Sequence, residues 1–315
     1  MPERTAAVVG AGVIGLTTAI TAQEAGFRVA VYSDRATSDT SSARAPASFK
    51  PAEVVYNDVA HEMVDASRQA YERILFEAPG VSGVRKQTHW EAGSALIEPP
   101  DFLQVMEEVE ALERPDIPGG YAFAWRFKTF FIDTTLFLPW LAQRFRRNGG
   151  SFVDLLEAFH SLEELAGLPH DIVFNCTGLG SRSLRGDERL VPVKGQIVLV
   201  DPQPDMNWSI KADGFYVYPR RYDTVLGGTV EWNVGDDQAE SGTVDAIVRA
   251  NKRILPHLKA TSIRGAYGCL RPYRSAGVRV ELGYIDGKPI IHNYGHGGSG
   301  FTLCWGSARR ALQLV

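Results

Sequence analysis

The chain begins with short apolar runs that alternate with a helix-forming segment. Residues 6–9 predict a buried strand, residues 16–25 predict a helix closed by Gly26, and residues 28–32 predict a second strand. Residues 171–178 return to the pattern of a buried parallel strand that ends in small residues. The order strand, helix, strand is typical of a βαβ unit, so the sequence predicts a parallel sheet at the start of the chain.

The rest of the chain carries two further patterns. Apolar residues recur at helical spacing in residues 58–76, 136–145 and 243–255. Short alternating stretches predict strands in the aromatic segment between Trp90 and Phe131, and at residues 196–200, 215–219, 225–232 and 279–284. We therefore predict an α/β fold in which a doubly wound, Rossmann-type domain is interwoven with a mainly antiparallel-sheet domain. The first would hold residues 1–55, 134–190 and 278–315, and the second residues 56–133 and 191–277.

The segment between the first strand and the first helix has the glycine spacing of a dinucleotide-binding turn. It reads Gly10-Ala11-Gly12-Val13-Ile14-Gly15. The first glycine permits the tight turn, the second lets the backbone approach a pyrophosphate at the helix N-terminus, and the third allows close helix–strand packing. Asp34, at the end of the second strand, is placed to accept a ribose hydroxyl group. The motif predicts a dinucleotide site and does not distinguish NAD from FAD.

A polar run follows the second strand. Residues 33–44 are rich in Ser and Thr, and Thr40, Ser41 and Ser42 lie within this run. Their hydroxyl groups can donate to phosphate oxygens, or they can form a solvated loop that contacts only water. The composition leaves both interpretations open.

Charge and cysteine content narrow the classes of function. The chain has 315 residues and a formal net charge of -4 without a basic stripe, which argues against a nucleic-acid partner. Its three cysteines are widely separated, so no metal site is predicted, although one disulfide remains open. Residues 5–23 are too rich in Thr and Gly for a membrane span, and neither an export signal nor a peroxisomal tripeptide is found. We expect a cytoplasmic protein.

The last part of the chain resembles a known signature. Ile290-Ile291-His292-Asn293-Tyr294-Gly295-His296-Gly297-Gly298-Ser299-Gly300-Phe301-Thr302, completed by Gly306-Ser307-Ala308, resembles that of the D-amino-acid oxidase and D-aspartate oxidase family. Shorter matches occur in the same order along nearly the whole chain: Gly10–Gly15 with Asp34-Arg35, Asn175-Cys176-Thr177-Gly178, Gly195-Gln196-Ile197, Tyr216 with Pro219, Leu226-Gly227-Gly228, and Leu270-Arg271-Pro272 with Arg279 and Glu281.

This resemblance implies a function and a set of roles. It implies FAD-dependent oxidative deamination of D-amino acids, with hydride transfer from Cα to flavin N5, molecular oxygen as the second substrate and hydrogen peroxide as a product. Arg271 would hold the substrate carboxylate, Tyr216 would donate to it, and the carbonyl of Gly298 would accept from the amino group. The glycine-rich turn before the last helix would stabilise negative charge on the reduced flavin. A homodimer is possible. The residues expected to bind FAD are Gly10, Ala11, Gly12, Val13, Ile14, Gly15, Asp34, Arg35, Thr40, Ser41, Ser42, Thr177, Gly178, Arg271, Gly297, Gly298, Gly300, Phe301 and Thr302.

Other local interpretations compete with these roles. On its own surroundings, Arg271 also fits a basic surface cluster. We expect Tyr216 and Tyr218 to face opposite sides of a strand, with one of them in the core. The resemblance assigns His292 and His296 to supporting the glycine-rich turn rather than to catalysis.

Two positions depart from the family pattern. Lys50 stands in the loop after Arg35; it either favours acidic or polar substrates or faces solvent. Ala212 stands where some relatives place a second tyrosine on a mobile lid, which predicts a shorter lid and a more open pocket.

The substrate class stays open at this point. The leading hypothesis is an oxidase of mainly neutral or hydrophobic D-amino acids, and the first competing hypothesis is a D-aspartate oxidase. A related flavin amine oxidase or dehydrogenase is the second competing hypothesis, and a nucleotide-binding scaffold without activity is the third.

Overall fold

Two sheets and the helices around them form the molecule. The computed structural model describes residues 4–114 and 116–315. The strands are β1 (Thr5–Val9), β2 (Arg28–Ser33), β3 (Ala47–Ser48), β4 (Val84–Gly93), β5 (Glu107–Glu113), β6 (Phe123–Ile132), β7 (Ser151–Asp154), β8 (Ile172–Asn175), β9 (Leu190–Val200), β10 (Trp208–Ala212), β11 (Phe215–Pro219), β12 (Thr224–Gly227), β13 (Glu231–Trp232), β14 (Ile263–Arg274), β15 (Arg279–Ile285) and β16 (Lys288–Tyr294). The helices are α1 (Val13–Glu24), α2 (Ser41–Arg44), α3 (Asp58–Glu77), α4 (Thr134–Arg147), α5 (Leu162–Ala166), α6 (Ser181–Arg185), α7 (Ser241–Ile254) and α8 (Gly300–Leu312).

The first sheet is mainly parallel and has helices on both faces. Its strand order is β15-β16-β8-β1-β2-β7, and only the edge strand β15 runs antiparallel to its neighbour. Along β1, Ala6 and Val8 point into the core that contains α1, α3 and α8, whereas Ala7 and Val9 point into the core that contains α5. Because alternate residues of a strand face opposite sides, apolar residues at every position of β1 after Thr5 match a sheet covered on both faces. The predicted doubly wound arrangement is confirmed.

The second sheet is mainly antiparallel. Its path is β13-β9-β12-β11-β10-β4-β6-β3, with β14 paired to β9 and β5 paired to β6. The pair β4–β10 is parallel. One face packs on α7 through Ile247 and Ile254, which join the core cluster of Ile210 and Val217. The opposite face carries Tyr216, Tyr218 and Val225, and this face borders the cavity described below.

The chain turns tightly at the position where the sequence predicts a short lid. Strands β10 and β11 are joined only by Asp213 and Gly214, whose φ angles are 49° and 85°. Positive φ at both central residues is the geometry of a two-residue hairpin turn, which Asp-Gly favours. The segment from β10 to β11 is therefore a short hairpin, in which Lys211 of β10 pairs directly with Tyr216 of β11.

Most predicted elements are present with shifted ends. The predicted helix at residues 58–76 is α3, and the one at 136–145 extends to Thr134–Arg147. The predicted strand 225–232 is wrong as one element, because it breaks between β12 and β13. At the break, Thr229 turns inward, where its hydroxyl oxygen accepts from the Gln196 backbone N–H at 2.9 Å.

The predicted domain division remains a prediction. Every strand of the first sheet lies in the segments assigned to the first domain. Two elements cross that division: β3 pairs with β6 of the second sheet, and α3 packs on α8, where the Ser67 hydroxyl oxygen accepts from the Gly306 backbone N–H. Among the residues described, none of the helices has both the length and the apolar character needed to cross a bilayer.

Candidate functional site

One large cavity lies between the two sheets and contains nearly all the predicted site residues. Its volume is about 810 Å³. Of the residues expected to bind cofactor or substrate, all except Gly15 line it: Gly10, Ala11, Gly12, Val13, Ile14, Asp34, Arg35, Thr40, Ser41, Ser42, Thr177, Gly178, Tyr216, Arg271, Gly297, Gly298, Gly300, Phe301 and Thr302. The fold therefore brings both groups of predicted residues to one space.

The glycines of the first turn permit close backbone contacts. Gly10 has φ of 112°, and a Cβ there would lie 2.5 Å from the carbonyl oxygen of Cys176. A Cβ on Gly15 would lie 1.8 Å from the Gly10 carbonyl oxygen, so Gly15 works by packing and does not need to line the cavity. Gly12 immediately precedes α1, whose first backbone N–H groups are free of intrahelical partners and can bind an anion.

The polar run packs against this turn. The Ser42 hydroxyl oxygen accepts from the Val13 backbone N–H at 3.1 Å. The interpretation of the run as a loop contacting only water is therefore wrong for Ser42. Asp34 and Arg35 form an ion pair of 2.8 Å at the cavity edge, and the hydrogen bond from Arg35 lowers the pKa of Asp34. Asp34 is thus an ionised acceptor at the end of β2.

A second glycine-rich turn, residues 295–300, closes the cavity from the other side. A Cβ on Gly297 would lie 1.7 Å from the Glu53 carbonyl oxygen, so only glycine allows this approach. The Ser299 hydroxyl donates to the Ala52 carbonyl at 2.9 Å and accepts from the Ala52 N–H at 2.8 Å. The Thr302 hydroxyl donates to the Lys50 carbonyl at 3.0 Å. We call residues 50–53 the docked loop, because these bonds fix it on the turn.

Buried polar atoms at the cavity wall fit a bound dinucleotide. Asn293 Oδ1 and His296 Nε2 are buried and find no hydrogen-bond partner within residues 4–114 and 116–315. Both residues line the cavity. Orphaned buried polar atoms are rare in native proteins, so such atoms beside two glycine-rich turns match a polar ligand there. Burial lowers the pKa of His296 to about 3 and contributes most to lowering that of His292 to about 4, so both rings are neutral at physiological pH.

The side chains of the second sheet form the opposite wall. Tyr216 lies over Gly227 of the neighbouring strand, where a Cβ would overlap the phenol ring at 1.8 Å. Arg271 lies over Gly195 in the same way, with the guanidinium 2.3 Å from a Cβ built there. Burial raises the pKa of Tyr216, and the Arg271 cation partly offsets that rise. The Arg271 side chain is 17% exposed, so the interpretation of Arg271 as part of a basic surface cluster is wrong.

The two tyrosines of β11 share one face. Tyr216 and Tyr218 both line the cavity, and their ring centroids are 4.6 Å apart. The expectation that they face opposite sides is wrong, because residues two positions apart on a strand point to the same side. Burial raises the pKa of Tyr218 as well, so both phenols stay protonated and can donate.

Lys50 is buried and does not face solvent. Its side chain is 7% exposed and forms an ion pair with Glu91 on β4. His89 Nε2 lies 3.4 Å from the same carboxylate, and His89 Nδ1 lies 2.8 Å from Ser209 Oγ. Burial lowers the pKa of Lys50, and the nearby Lys211 cation adds to that lowering. The solvent-facing interpretation of Lys50 is therefore wrong.

Two charged residues of the cavity carry no signal in the local sequence and were not predicted. Lys211 lies across from Tyr216 in the β10–β11 register and lines the cavity. Glu53 lies beside Arg271, with Oε2 3.5 Å from Nε. Neither belongs to a local motif, and only the register of β10 with β11 gives a signal for Lys211. The three cysteines are free and buried.

Comparisons with known proteins agree with this geometry. A family model described as FAD dependent oxidoreductase matches residues 5–314. The D-amino-acid oxidase of Streptomyces coelicolor is 33% identical, with 98% of this chain and 95% of the relative covered. The D-aspartate oxidase of Homo sapiens is 34% identical, with 98% and 94% covered.

Solved structures share the fold at low identity. Glycine oxidase from Bacillus cereus superposes with a TM-score of 0.79 at 18% identity, over 99% of this chain and 94% of that one. L-alpha-glycerophosphate oxidase from Mycoplasma pneumoniae, solved with FAD bound, has a TM-score of 0.75 at 14% identity, over 100% and 95%. At these identities the likeness shows the fold.

Proposed function

Because the chain belongs to the family of FAD-dependent oxidoreductases, we propose that it catalyses the oxidative deamination of D-amino acids, with FAD as its cofactor. One observation carries the proposal: Arg271 and Tyr216 face the same cavity as the two glycine-rich turns. A nucleotide scaffold has no use for a buried arginine and tyrosine aimed at its cofactor. An oxidase of mainly neutral D-amino acids is the first candidate, and D-aspartate oxidase is the second.

The chain's own residues bind and orient the substrate. Arg271 presents a planar, always charged guanidinium that fits a carboxylate bidentately, and the Tyr216 hydroxyl donates one more hydrogen bond. The carbonyl of Gly298 accepts from the amino group. These contacts fix two substituents of Cα, the carboxylate and the amino group, and the requirement that the Cα hydrogen face the bound flavin would supply the third, which selects one enantiomer. FAD, when bound, supplies the two-electron acceptor, and we propose that oxygen then takes the electrons and leaves as hydrogen peroxide.

The cofactor would be held mainly by backbone groups. With FAD bound, the N-terminus of α1 and the hydroxyls of Thr40, Ser41 and Ser42 would hold the pyrophosphate, and Asp34 would accept from a ribose hydroxyl. The turn at residues 297–300, with Phe301 and Thr302, and Thr177 with Gly178, would hold the flavin. The positive N-terminal end of α8 would stabilise negative charge on the bound cofactor. A cytoplasmic location and a homodimer remain part of the proposal.

One observation favours an acidic substrate. Lys211 lines the cavity, and in the described chain no hydrogen bond or ion pair to a carboxylate engages its ammonium. It stands next to Tyr216, with Lys50 close enough for the two cations to repel. A cation without a counter-ion on a cavity wall attracts an anion. A side-chain carboxylate on the substrate would supply that anion, so D-aspartate or D-glutamate is the second candidate class.

The visible spectrum of the purified protein tests the proposal. Under anaerobic conditions, D-alanine, D-valine or D-aspartate should bleach the yellow flavin band, and L-alanine should not. Release of hydrogen peroxide on admitting air separates an oxidase from a dehydrogenase. A protein that carries flavin but is bleached by none of the D-amino acids would contradict the proposal and favour the nucleotide scaffold.

A further inference from the structure

Glu53 lies next to Arg271 and Gly298, the two residues to which contacts with the substrate carboxylate and amino group are assigned. Its Oε2 lies 3.5 Å from Arg271 Nε and 2.3 Å from a Cβ built on Gly298. The carboxylate therefore lies directly against Gly298 and beside the guanidinium of Arg271. Its side chain is 24% exposed and lines the cavity.

The docked loop sets this position. Glu53 has φ of 42°, in the left-handed region that residues other than glycine rarely adopt. Its carbonyl accepts from the Gly298 backbone N–H at 3.4 Å, and the Ala52–Ser299 pair of hydrogen bonds anchors the preceding residue. A backbone held this way outside its preferred region is a feature found at binding sites. The carboxylate is therefore presented to the cavity by a fixed backbone.

The charges of the cavity leave Glu53 as the anion on the substrate side. Among the described residues that line the cavity, the carboxylates are Asp34 and Glu53. Asp34 is paired with Arg35 at the end of β2, on the nucleotide side. Arg271 and Lys211 are cations and repel an ammonium group. A zwitterionic amino acid carries its ammonium next to its carboxylate, and Glu53 is the negative charge next to Arg271.

We propose that Glu53 accepts a hydrogen bond from the α-ammonium of the substrate, so that Arg271 and Glu53 together recognise the zwitterion. The inference rests on the proposed function and adds a charged acceptor beside the Gly298 carbonyl. The proposal explains why a glutamate, Glu53, lies beside Arg271, the residue assigned to bind the substrate carboxylate. Without a second partner, the Glu53 carboxylate would compete with the substrate carboxylate for Arg271. If Glu53 binds the substrate ammonium instead, it exchanges one positive partner for another when the substrate binds.

The test compares two ligands that differ only by the amino group. D-alanine is propionate with an α-ammonium, and D-aspartate stands in the same relation to succinate. In the FAD-loaded Glu53→Gln variant, the Kd of the D-amino acid, taken from the concentration dependence of anaerobic flavin reduction, should rise about 10- to 100-fold. The Kd of the matching carboxylic acid, from flavin absorbance titration, should fall, because one competing anion is gone. The limiting reduction rate should change less than Kd.

The pattern of the two constants decides the inference. If both constants fall, Glu53 only competes for Arg271, and if both rise or neither changes, its role is in the loop; each of these outcomes overturns the proposal. Glu53→Asp, which keeps the charge, should recover part of the lost affinity for the amino acid. Glu62→Gln removes one negative charge from the exposed face of α3 and serves as the matched control, with both constants unchanged.

Failure of the proposed function gives a different result. Wild-type protein is measured first with D-alanine, D-valine and D-aspartate. If none of them reduces the flavin, the proposed function fails. If one of them does and the Glu53→Gln variant shows one of the contrary patterns, only the role of Glu53 fails.

Discussion

The two walls of the cavity differ in composition: one is mainly backbone, and the other is mainly side chains. The wall on the side of the first sheet, here called the nucleotide wall, is largely backbone: Gly10 and Gly297 let main chain approach main chain, and Gly12 lies at the N-terminus of α1. The substrate wall is made of long charged side chains, with Arg271 and Lys211 extending from strands of the second sheet. The shape of a backbone wall depends on where glycines stand, because they have no side chain. The charge of the other wall depends on which side chains the register of the sheet brings together.

This difference separates two kinds of function. A wall of backbone N–H groups recognises phosphate whatever the rest of the ligand carries, and it tolerates little added volume. A wall of charged side chains selects among substrates and can change its preference by one substitution. We therefore expect changes on the nucleotide wall to remove the holoenzyme, and changes on the substrate wall to leave FAD bound while altering which amino acids are oxidised.

The largest effect should come from the glycine that packs the first turn. In Gly15→Ala, the new methyl group would meet the Gly10 carbonyl oxygen at 1.8 Å, so the turn must open. We expect a destabilisation of about 3 kcal/mol or more and loss of bound flavin. Thermal unfolding and the flavin-to-protein absorbance ratio measure both.

Gly242→Ala is the matched control for this change. Nothing lies within 4 Å of a Cβ at Gly242, in the first turn of α7. The control should leave the Tm unchanged or raise it, since alanine is the better helix former. Normal flavin content and Tm in Gly15→Ala would contradict the packing argument.

Removal of the guanidinium should be the largest effect confined to the substrate wall. In Arg271→Met, kcat/KM for the preferred D-amino acid should fall about 100- to 1,000-fold, because a desolvated charge pair is lost. Flavin content should stay near that of the wild type. Arg264→Met, which removes an arginine paired with Asp201 outside the cavity, should retain activity. A loss below tenfold in Arg271→Met would mean that another group holds the carboxylate.

Asp187 joins the two sheets and gives a pH-dependent prediction. Burial by itself would raise the pKa of Asp187, but hydrogen bonds from Arg274, Tyr294 and Arg279 hold it at about 2. These partners lie on β14, β16 and β15, so the carboxylate connects both sheets. A depressed folded-state pKa means that the unfolded chain binds the proton first. The stabilisation is therefore complete above about pH 4 and is lost as the pH falls to about 2.

The variant Asp187→Asn should show this linkage directly. We expect it to be about 1–2 kcal/mol less stable than the wild type near neutral pH, with the difference shrinking as the pH approaches 2. Chemical denaturation at a series of pH values measures it. The comparison variant is Asp171→Asn. The Asp171 carboxylate accepts from the Thr5 N–H within the first sheet, whereas Asp187 connects both sheets. A difference that stays constant with pH in Asp187→Asn would rule out the ionised carboxylate as its source.

The smallest effect should be a change in preference. In Lys211→Met, the ratio of kcat/KM for D-aspartate to that for D-alanine should fall about tenfold, because a side-chain carboxylate loses its cation. Lys259→Met removes an exposed lysine outside the cavity and should leave the ratio unchanged. An unchanged ratio in Lys211→Met would exclude Lys211 from side-chain recognition and favour neutral substrates.

On the nucleotide wall, the sequence could predict which residues share the cavity, while their role in binding FAD stays a prediction. This wall consists of short runs of consecutive residues, such as Gly10–Gly15, and the spacing of their glycines predicts the backbone conformation. The packing role of Gly15 follows from the same spacing, and the structure agrees with it at the Gly10 carbonyl oxygen. Alternating and helical periodicity also predicted the doubly wound sheet and the longer helices α1, α3, α4 and α7, although their ends moved by a few residues.

The substrate wall could be predicted only in part. Arg271 and Tyr216 were found through resemblance, because a single Arg or Tyr on a strand carries no local signature. Lys211 and Glu53 were missed, since their importance arises from the β10–β11 register and from a loop docked on a distant turn. The local sequence allows two interpretations of Lys50, and its burial beside Glu91 excludes the solvent-facing one.

The sequence by itself determined the class of cofactor site and the order of the elements, because both depend on periodicity and on glycines that act within a few residues of each other. The tertiary structure decided which charges meet. Electrostatic neighbours such as Arg271 and Glu53 are far apart along the chain, and their distance is set by how the two sheets pack. Substrate recognition is therefore a property of the folded arrangement, and a substitution that leaves every motif intact can still change it.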